Sequence, residues 1–220
     1  MVTRYSYFRM RGNYCFGFHE GPRYNSFLVE HDKSNGYQKI AHIFMSARNP
    51  RIGVAAVQRW GRTLPPQCAV LDLGCGYGVP VSQALINDGF SVYGVDASPA
   101  MIAEFRKRFP NAPADCSPVE DSDFFGRTYD AIIAWGLMFL LPPEIQPAII
   151  RKVAAALNPG GKFLFTSPAE PHTWNDSLTE RESTSLGAAR YREILLGEGL
   201  ALLGEDIDEG ENFYYLAAKV

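Results

Sequence analysis

Between residues 37 and 60, apolar positions recur at helical intervals: Ile40, Ile43 and Phe44, then Ile52, Val54, Ala55 and Val57, on either side of Asn49-Pro50. Proline disfavours helix at the residue before it, so the pattern predicts two short helices rather than one. Beyond the "TLPPQ" linker the period changes. Compact, largely apolar runs at Ala69 to Leu73, Ser91 to Val95, Tyr129 to Ala134 and Lys162 to Thr166 predict strands, and a short one is expected near Ala114 to Ser117 after Pro110 and Pro113. Helical patterns fall between them. One spans Val79 to Asn87 and is closed by Asp88-Gly89; a second starts from Ser98 as N-cap with Pro99 at its first position and runs to about Phe109. A third lies in "PPEIQPAIIRKVAAALNPGG", with Asn158 to Gly161 as its stop.

Strands alternating with helices of this length form βαβ units and a parallel sheet covered on both faces. The end of the chain departs from that rhythm. A helix at Ala188 to Leu196 leads to strands at Leu200 to Ile207 and Asn212 to Lys219, and the "DEGE" turn between them is short enough only for antiparallel neighbours. The expected fold is therefore α/β: a Rossmann-like, doubly wound, mostly parallel seven-stranded sheet with an antiparallel C-terminal hairpin and an N-terminal helical extension. Residues 1–60 are expected to form an N-terminal tail and helical lid, and residues 61–220 the ligand-binding domain.

Composition narrows the class. Hydrophobic residues make up 46% of the 220, enough for a sizeable core, and the formal charge of −3 argues against a general nucleic-acid binder. Cys15, Cys68, Cys75 and Cys116 share no CxxC spacing, which fits reduced thiols in the cytoplasm better than a zinc site or a disulfide framework. His19, His31, His42 and His172 are scattered without metal-ligand spacing, so no metal is expected. The Arg- and aromatic-containing start has no continuous apolar run, and no stretch reaches the roughly 18 apolar residues of a membrane span.

The chemistry centres on "VLDLGCGYGVP", Val70 to Pro80. Glycine within regular structure costs about 0.5–1 kcal/mol relative to alanine, so Gly74, Gly76 and Gly78 need a reason. In an open α/β sheet the first strand-to-helix turn meets the ligand, and bare backbone there allows close approach. Asp96 ends the second strand 22 residues after Gly74, where a carboxylate accepts hydrogen bonds from both hydroxyls of a ribose. Turn, strand, helix and spaced Asp together point to an adenosine-containing cofactor. The competing structural explanations are a tight turn for the glycines and a helix cap for Asp96. Asp72, a carboxylate within an apolar strand, either orders the glycine loop or faces the ligand's amino group.

In order, "VLDLGCGYG", "GVDAS", "YDAIIAWG" and "LNPGGKFLF", with the terminal hairpin, resemble the class I S-adenosylmethionine-dependent methyltransferases over about Val57 to Val220. "SARNPRIG", "AWGLMFLL", "SLG" and "DEGEN" extend the resemblance to a bacterial subgroup acting on small molecules. The resemblance implies S-adenosylmethionine as cofactor, with Gly74, Cys75 and Gly76 lining its methionine part, Asp96 its ribose, Ala97 and Met101 its adenine, and Ala134 and Trp135 its sulfonium. Many members carry an acidic residue after the third strand, at the adenine amino group. Here Pro118 takes that place, which leaves Ser117, the Val119 N–H and Glu120 to serve adenine.

Methyl transfer from a sulfonium needs alignment and a dry pocket, and a base only where the acceptor must lose a proton. Trp135, His172 and Asp176 are the candidate catalytic residues. Arg48, Trp135, Trp174, Tyr191 and Asn212 are the candidate substrate contacts, with Arg48 expected to pair with a carboxylate of cofactor or substrate. Glu198, Glu205, Asp206, Asp208, Glu209 and Glu211, with no Lys or Arg among them, suggest an acidic surround suited to a neutral or cationic small-molecule acceptor; a solvated acidic face is the alternative. Two other readings compete: a nicotinamide-dependent oxidoreductase, which shares Gly-x-Gly and the strand-end Asp, and a non-catalytic binding domain on the same scaffold.

Overall fold

The computed structural model describes residues 32–220. Residues 1–31, part of the expected N-terminal tail, lie outside the described residues. Helices α1 (Tyr37–Ala47) and α2 (Val54–Gly61) precede strand β1 (Ala69–Leu73). Helix α3 (Val81–Asn87), β2 (Ser91–Asp96), α4 (Pro99–Arg108), β3 (Ala114–Cys116), β4 (Tyr129–Ala134), α5 (Gln146–Ala156) and β5 (Leu157–Thr166) follow. The chain continues through β6 (His172–Asn175), β7 (Glu182–Ser185), α6 (Ala188–Gly197), β8 (Leu200–Ile207) and β9 (Phe213–Lys219).

Seven strands form one sheet in the order β3-β2-β1-β4-β5-β9-β8. The pairs from β3 to β5 are parallel, whereas β9 runs antiparallel to both β5 and β8. The strand order reverses between β1 and β4, which opens a crevice at their carboxyl ends.

The side chains of the central strands alternate between two cores. Leu71, Leu73, Ile132, Phe163 and Phe165 meet Ile149, Ile150 and Val153 of α5 and Leu195 of α6. Val70, Ala131, Ile133 and Leu164 meet Ala56, Val57 and Trp60 of α2 and Ala84 and Leu85 of α3 on the other face. Full burial of such side chains contributes about 1.5–3 kcal/mol each, which fixes the register of β1 and β4. A boundary after residue 60 would cut through this packing, because α2 is a wall of the same core as the sheet.

Some local expectations are corrected. The segment from Glu170 to Ser185, to which the hydrophobic pattern assigns no element, contains an antiparallel hairpin of β6 and β7, His172 opposite Ser185 and Asn175 opposite Glu182. Helix α5 stops at Ala156, and β5 starts five residues before Lys162 because Leu157 pairs with Tyr129 before the register shifts. Helix α3 begins at Val81, not Val79. Ile43 is 62% exposed, so the apolar stripe on α1 is narrower than its sequence suggests.

Candidate functional site

Helix α4 anchors one side of the crevice. The Ser98 hydroxyl accepts from the Met101 N–H at 3.3 Å, and Pro99 starts the helix without a wasted donor. The loop before it is held by Asp96, which accepts from the Ser98 N–H at 2.8 Å on one oxygen and from the Gly76 N–H at 2.9 Å on the other. One carboxylate thus ties the glycine turn to the end of β2. Burial pushes its pKa up, against the lowering effect of these two hydrogen bonds.

The three glycines have different reasons. Gly78 has φ +83°, and a Cβ there would lie 2.4 Å from the Phe109 ring, so close helix packing demands it. Gly74 meets Leu137 at 3.0 Å. Gly76, at φ +54°, has open space where a side chain would stand, and it borders a cavity. Gly74 borders the same cavity, but of the three only Gly76 has open space where its side chain would stand.

The cavity, of about 180 Å³, lies over the crevice between β1 and β4. It gathers Gly74, Gly76, Asp96, Ala97, Met101, Val119 and Glu120 on the side expected for the cofactor. Arg48, Trp135 and Asn212, expected on the acceptor side, line the same space. Asp72 and Cys75 border a smaller adjoining cavity under the glycine turn, shared with Arg48 and Trp135. Asp72 is buried and accepts from the Ser82 hydroxyl of α3 at 2.5 Å. Burial and the neighbouring Asp96 charge push its pKa up to about 7, opposed by the Ser82 bond. Burial likewise pushes the Cys75 thiol up, well away from thiolate chemistry.

Other expected site residues lie elsewhere. Tyr191 is fully buried and bonds to Gln146 at 2.6 Å and Ser167 at 2.9 Å, a polar link within the core. Ala134 is buried in the β4 core, and the Ser117 hydroxyl turns to the Pro118 carbonyl. His172 is exposed, with Nδ1 against the Glu170 carbonyl and its ring stacked on Trp174. Trp174 packs on Phe139, a cavity residue, and so backs the wall rather than forming it. Asp176 caps the β6–β7 turn, accepting from the Leu178 and Thr179 N–H groups on one oxygen.

The acidic segment does not surround the cavity. Glu205 pairs with Arg192, Glu198 with Arg151 and Asp206 with Arg59. Asp208 accepts from the Gly210 and Asn212 N–H groups and shapes the β8–β9 turn, while Glu209 accepts from the Gly53 N–H. Those carboxylates are used in structure, which removes the basis for expecting a cationic acceptor.

Sequence reasoning missed Lys33, Tyr37 and Phe139, all lining the cavity. Lys33 borders it and forms an ion pair with Glu120 at 2.9 Å, which engages one oxygen of that carboxylate. Gln38 of α1 accepts from the Ser98 hydroxyl at 2.6 Å and from the Ala100 N–H at 3.0 Å. Nothing local in the sequence signals these contacts, since each joins segments more than 50 residues apart. Among the described residues, no cluster of three or more His, Cys, Asp or Glu side chains could hold a metal ion. No helix among them is long and apolar enough to cross a membrane.

Residues 70–161 match a family model described as a methyltransferase domain. Over 126 residues the chain is 30% identical to the carboxy-S-adenosyl-L-methionine synthase of Cronobacter sakazakii, covering 53% of this chain and 49% of that protein. Over 141 residues it is 30% identical to the ubiquinone biosynthesis O-methyltransferase of Methylobacterium nodulans, covering 58% and 54%. The chain thus spans about half the length of these curated relatives. Its fold is like that of 1,6-didemethyltoxoflavin-N1-methyltransferase of Burkholderia thailandensis, solved with bound 1,6-didemethyltoxoflavin and S-adenosylhomocysteine: TM-score 0.66 at 18% identity, covering 84% of each chain. These matches favour the methyltransferase resemblance over the nicotinamide-dependent oxidoreductase.

Proposed function

We propose that this chain, whose residues 70–161 match a methyltransferase domain, is a class I S-adenosylmethionine-dependent methyltransferase that transfers the cofactor's methyl group to a small molecule. One observation carries this: a single cavity joins the glycine turn and Asp96 to a separate wall of Arg48, Trp135 and Asn212. The donor set fits an adenosine cofactor. Gly76 leaves room where any Cβ would intrude, and Asp96 is fixed by two backbone donors with lone pairs to spare for a ribose.

When bound, S-adenosylmethionine supplies an electrophilic methyl group. Asp96 holds the ribose in our reading; Ala97, Met101 and Val119 offer the adenine an apolar slot, and Glu120 takes its amino group once Lys33 lets go. Arg48 has no ion-pair partner among the described residues, and its guanidinium lies 5.7 Å from the Phe44 ring centre. It is therefore available to a carboxylate from cofactor or acceptor. Trp135, buried against Tyr214, and Phe139 keep water from the reacting atoms. Helix α1, tied to α4 through Gln38, serves as the lid. The acceptor is a cytoplasmic small molecule on this reading; such small-molecule chemistry is supported by the fold neighbour named above.

The test is methyl transfer from labelled S-adenosylmethionine to a metabolite extract, with bulk RNA and protein as separate acceptors. Label should enter the small-molecule fraction. Label confined to RNA or protein would overturn the acceptor class, and absence of S-adenosylhomocysteine binding by calorimetry would overturn the cofactor.

A further inference from the structure

Tyr37 lines the cavity from the first turn of α1, and its hydroxyl donates to Asp176 Oδ2 at 3.1 Å. The other oxygen of Asp176 is saturated: it accepts from the Leu178 N–H and the Thr179 N–H, both at 2.9 Å, and from the Thr179 hydroxyl at 3.3 Å. Oδ2 is thus left to Tyr37. A tyrosine hydroxyl has one proton and two lone pairs. With the proton committed to Asp176, the phenol oxygen can offer a cavity ligand only lone pairs. Burial foremost, then the charge and hydrogen bond of Asp176, push the Tyr37 pKa up against a small opposing effect of Arg48, so the phenol keeps its proton.

Resting on the methyltransferase reading above, we propose that Tyr37 and Asp176 receive the acceptor's X–H group, the nucleophile being an N–H or O–H donor hydrogen-bonded to the Tyr37 oxygen. As the methyl–X bond forms and the sulfonium C–S bond breaks, the X–H proton passes to the Tyr37 oxygen and the Tyr37 proton passes to Asp176 Oδ2. The sulfonium electron pair stays on sulfur, and the carboxylate ends neutral. Tyr37 touches the acceptor and is a catalytic residue. Asp176 acts through it as a positioning residue and terminal proton acceptor, which refines the catalytic role expected for Asp176 from sequence.

The hydrogen-bond polarity can be inverted. In Asp176→Asn the oxygen of the new amide keeps the place facing the Leu178 and Thr179 donors, so its NH2 turns to Tyr37. The Tyr37 hydroxyl must then accept from that amide and point its own proton into the cavity. Phenol, a donor, and anisole, an acceptor of similar shape, serve as probes titrated calorimetrically into the S-adenosylhomocysteine complex. Wild type should prefer phenol by about fivefold, the worth of one hydrogen bond. Tyr37→Phe should bring the ratio to about one. Asp176→Asn should lower it because anisole binds more tightly than to wild type, a gain that a merely structural latch does not produce. Turnover of labelled cofactor on the metabolite fraction should fall in both variants with S-adenosylhomocysteine affinity retained.

An unchanged phenol-to-anisole ratio in both variants overturns the proposal, as does failure of phenol to bind the wild-type complex. Loss of cofactor affinity in both variants with the ratio intact marks the pair as a latch and overturns it too. Wild type that fails to bind S-adenosylhomocysteine at all would instead overturn the methyltransferase reading.

Discussion

Replacing Asp96 with asparagine keeps the side chain's size and removes one acceptor. Both carboxylate oxygens are in use, one on the Gly76 N–H and one on the Ser98 N–H, and an amide has a single oxygen to offer. One backbone donor must then face an NH2 group. An unsatisfied donor costs about 1–3 kcal/mol when buried, and a hydrogen bond to a charged group contributes about 1.5–3 kcal/mol. The first cost falls on the glycine turn and the second on the bound ribose. Asp96→Asn should therefore weaken S-adenosylhomocysteine binding by about 2–3 kcal/mol, roughly 30- to 150-fold. Calorimetry at a temperature where both proteins are folded, checked by circular dichroism, measures this. An affinity within threefold of wild type in a folded variant would show that Asp96 only shapes the turn.

Further expectations are as direct. Gly78→Ala should destabilise the fold by about 2 kcal/mol or more in urea titrations, since the methyl meets the Phe109 and Phe105 rings; Gly76→Ala should cost only about 1 kcal/mol for its left-handed backbone yet block S-adenosylhomocysteine. Asp72 has a folded pKa of about 7 against an ordinary value of 3.8, so the folded state binds the extra proton between those values and its stability falls as pH rises through that window. Asp72→Asn should flatten that slope and gain about 4 kcal/mol at pH 8 relative to pH 4, and an unaltered slope in urea titrations would refute it. Tyr191→Phe should cost about 1–2 kcal/mol of stability by stranding Gln146 and Ser167 while leaving cofactor affinity unchanged, in contrast to any role as a substrate contact.

What sequence conveyed was local. Ser98-Pro99 announced α4 because cap and first-turn preferences act within a few residues, and β1, β4 and β8 were legible as apolar runs bounded by turn residues. The β6–β7 hairpin was not, because seven of its eight residues are polar and leave no hydrophobic alternation, although Ser183 and Ser185 are buried. Gly74, Gly76 and Asp96 were legible as a set from spacing alone, but spacing could not separate Gly76, which faces the opening, from Gly78, which faces phenylalanine. Tyr191 looked accessible on its helix, and only its contact with Gln146, 45 residues away, shows why it is buried. Tyr37 escaped notice for the same reason, its partner being 139 residues distant.

Strand β9 comes last among the seven in sequence yet sits inside the sheet, between β5 and β8. During synthesis, the parallel ladder from β3 to β5 can pair while the far side of β5 still has its backbone donors and acceptors bare. That open edge persists until residues 213–219 have left the ribosome, and so does the missing cavity wall at Asn212. Arg48 and Asn212, which meet at one cavity, are separated by most of the described chain, so the site carries a high contact order. A nascent or truncated chain lacking β9 therefore exposes an apolar strand edge of the kind that recruits other chains, and the last step in building this sheet is also the one that removes that hazard.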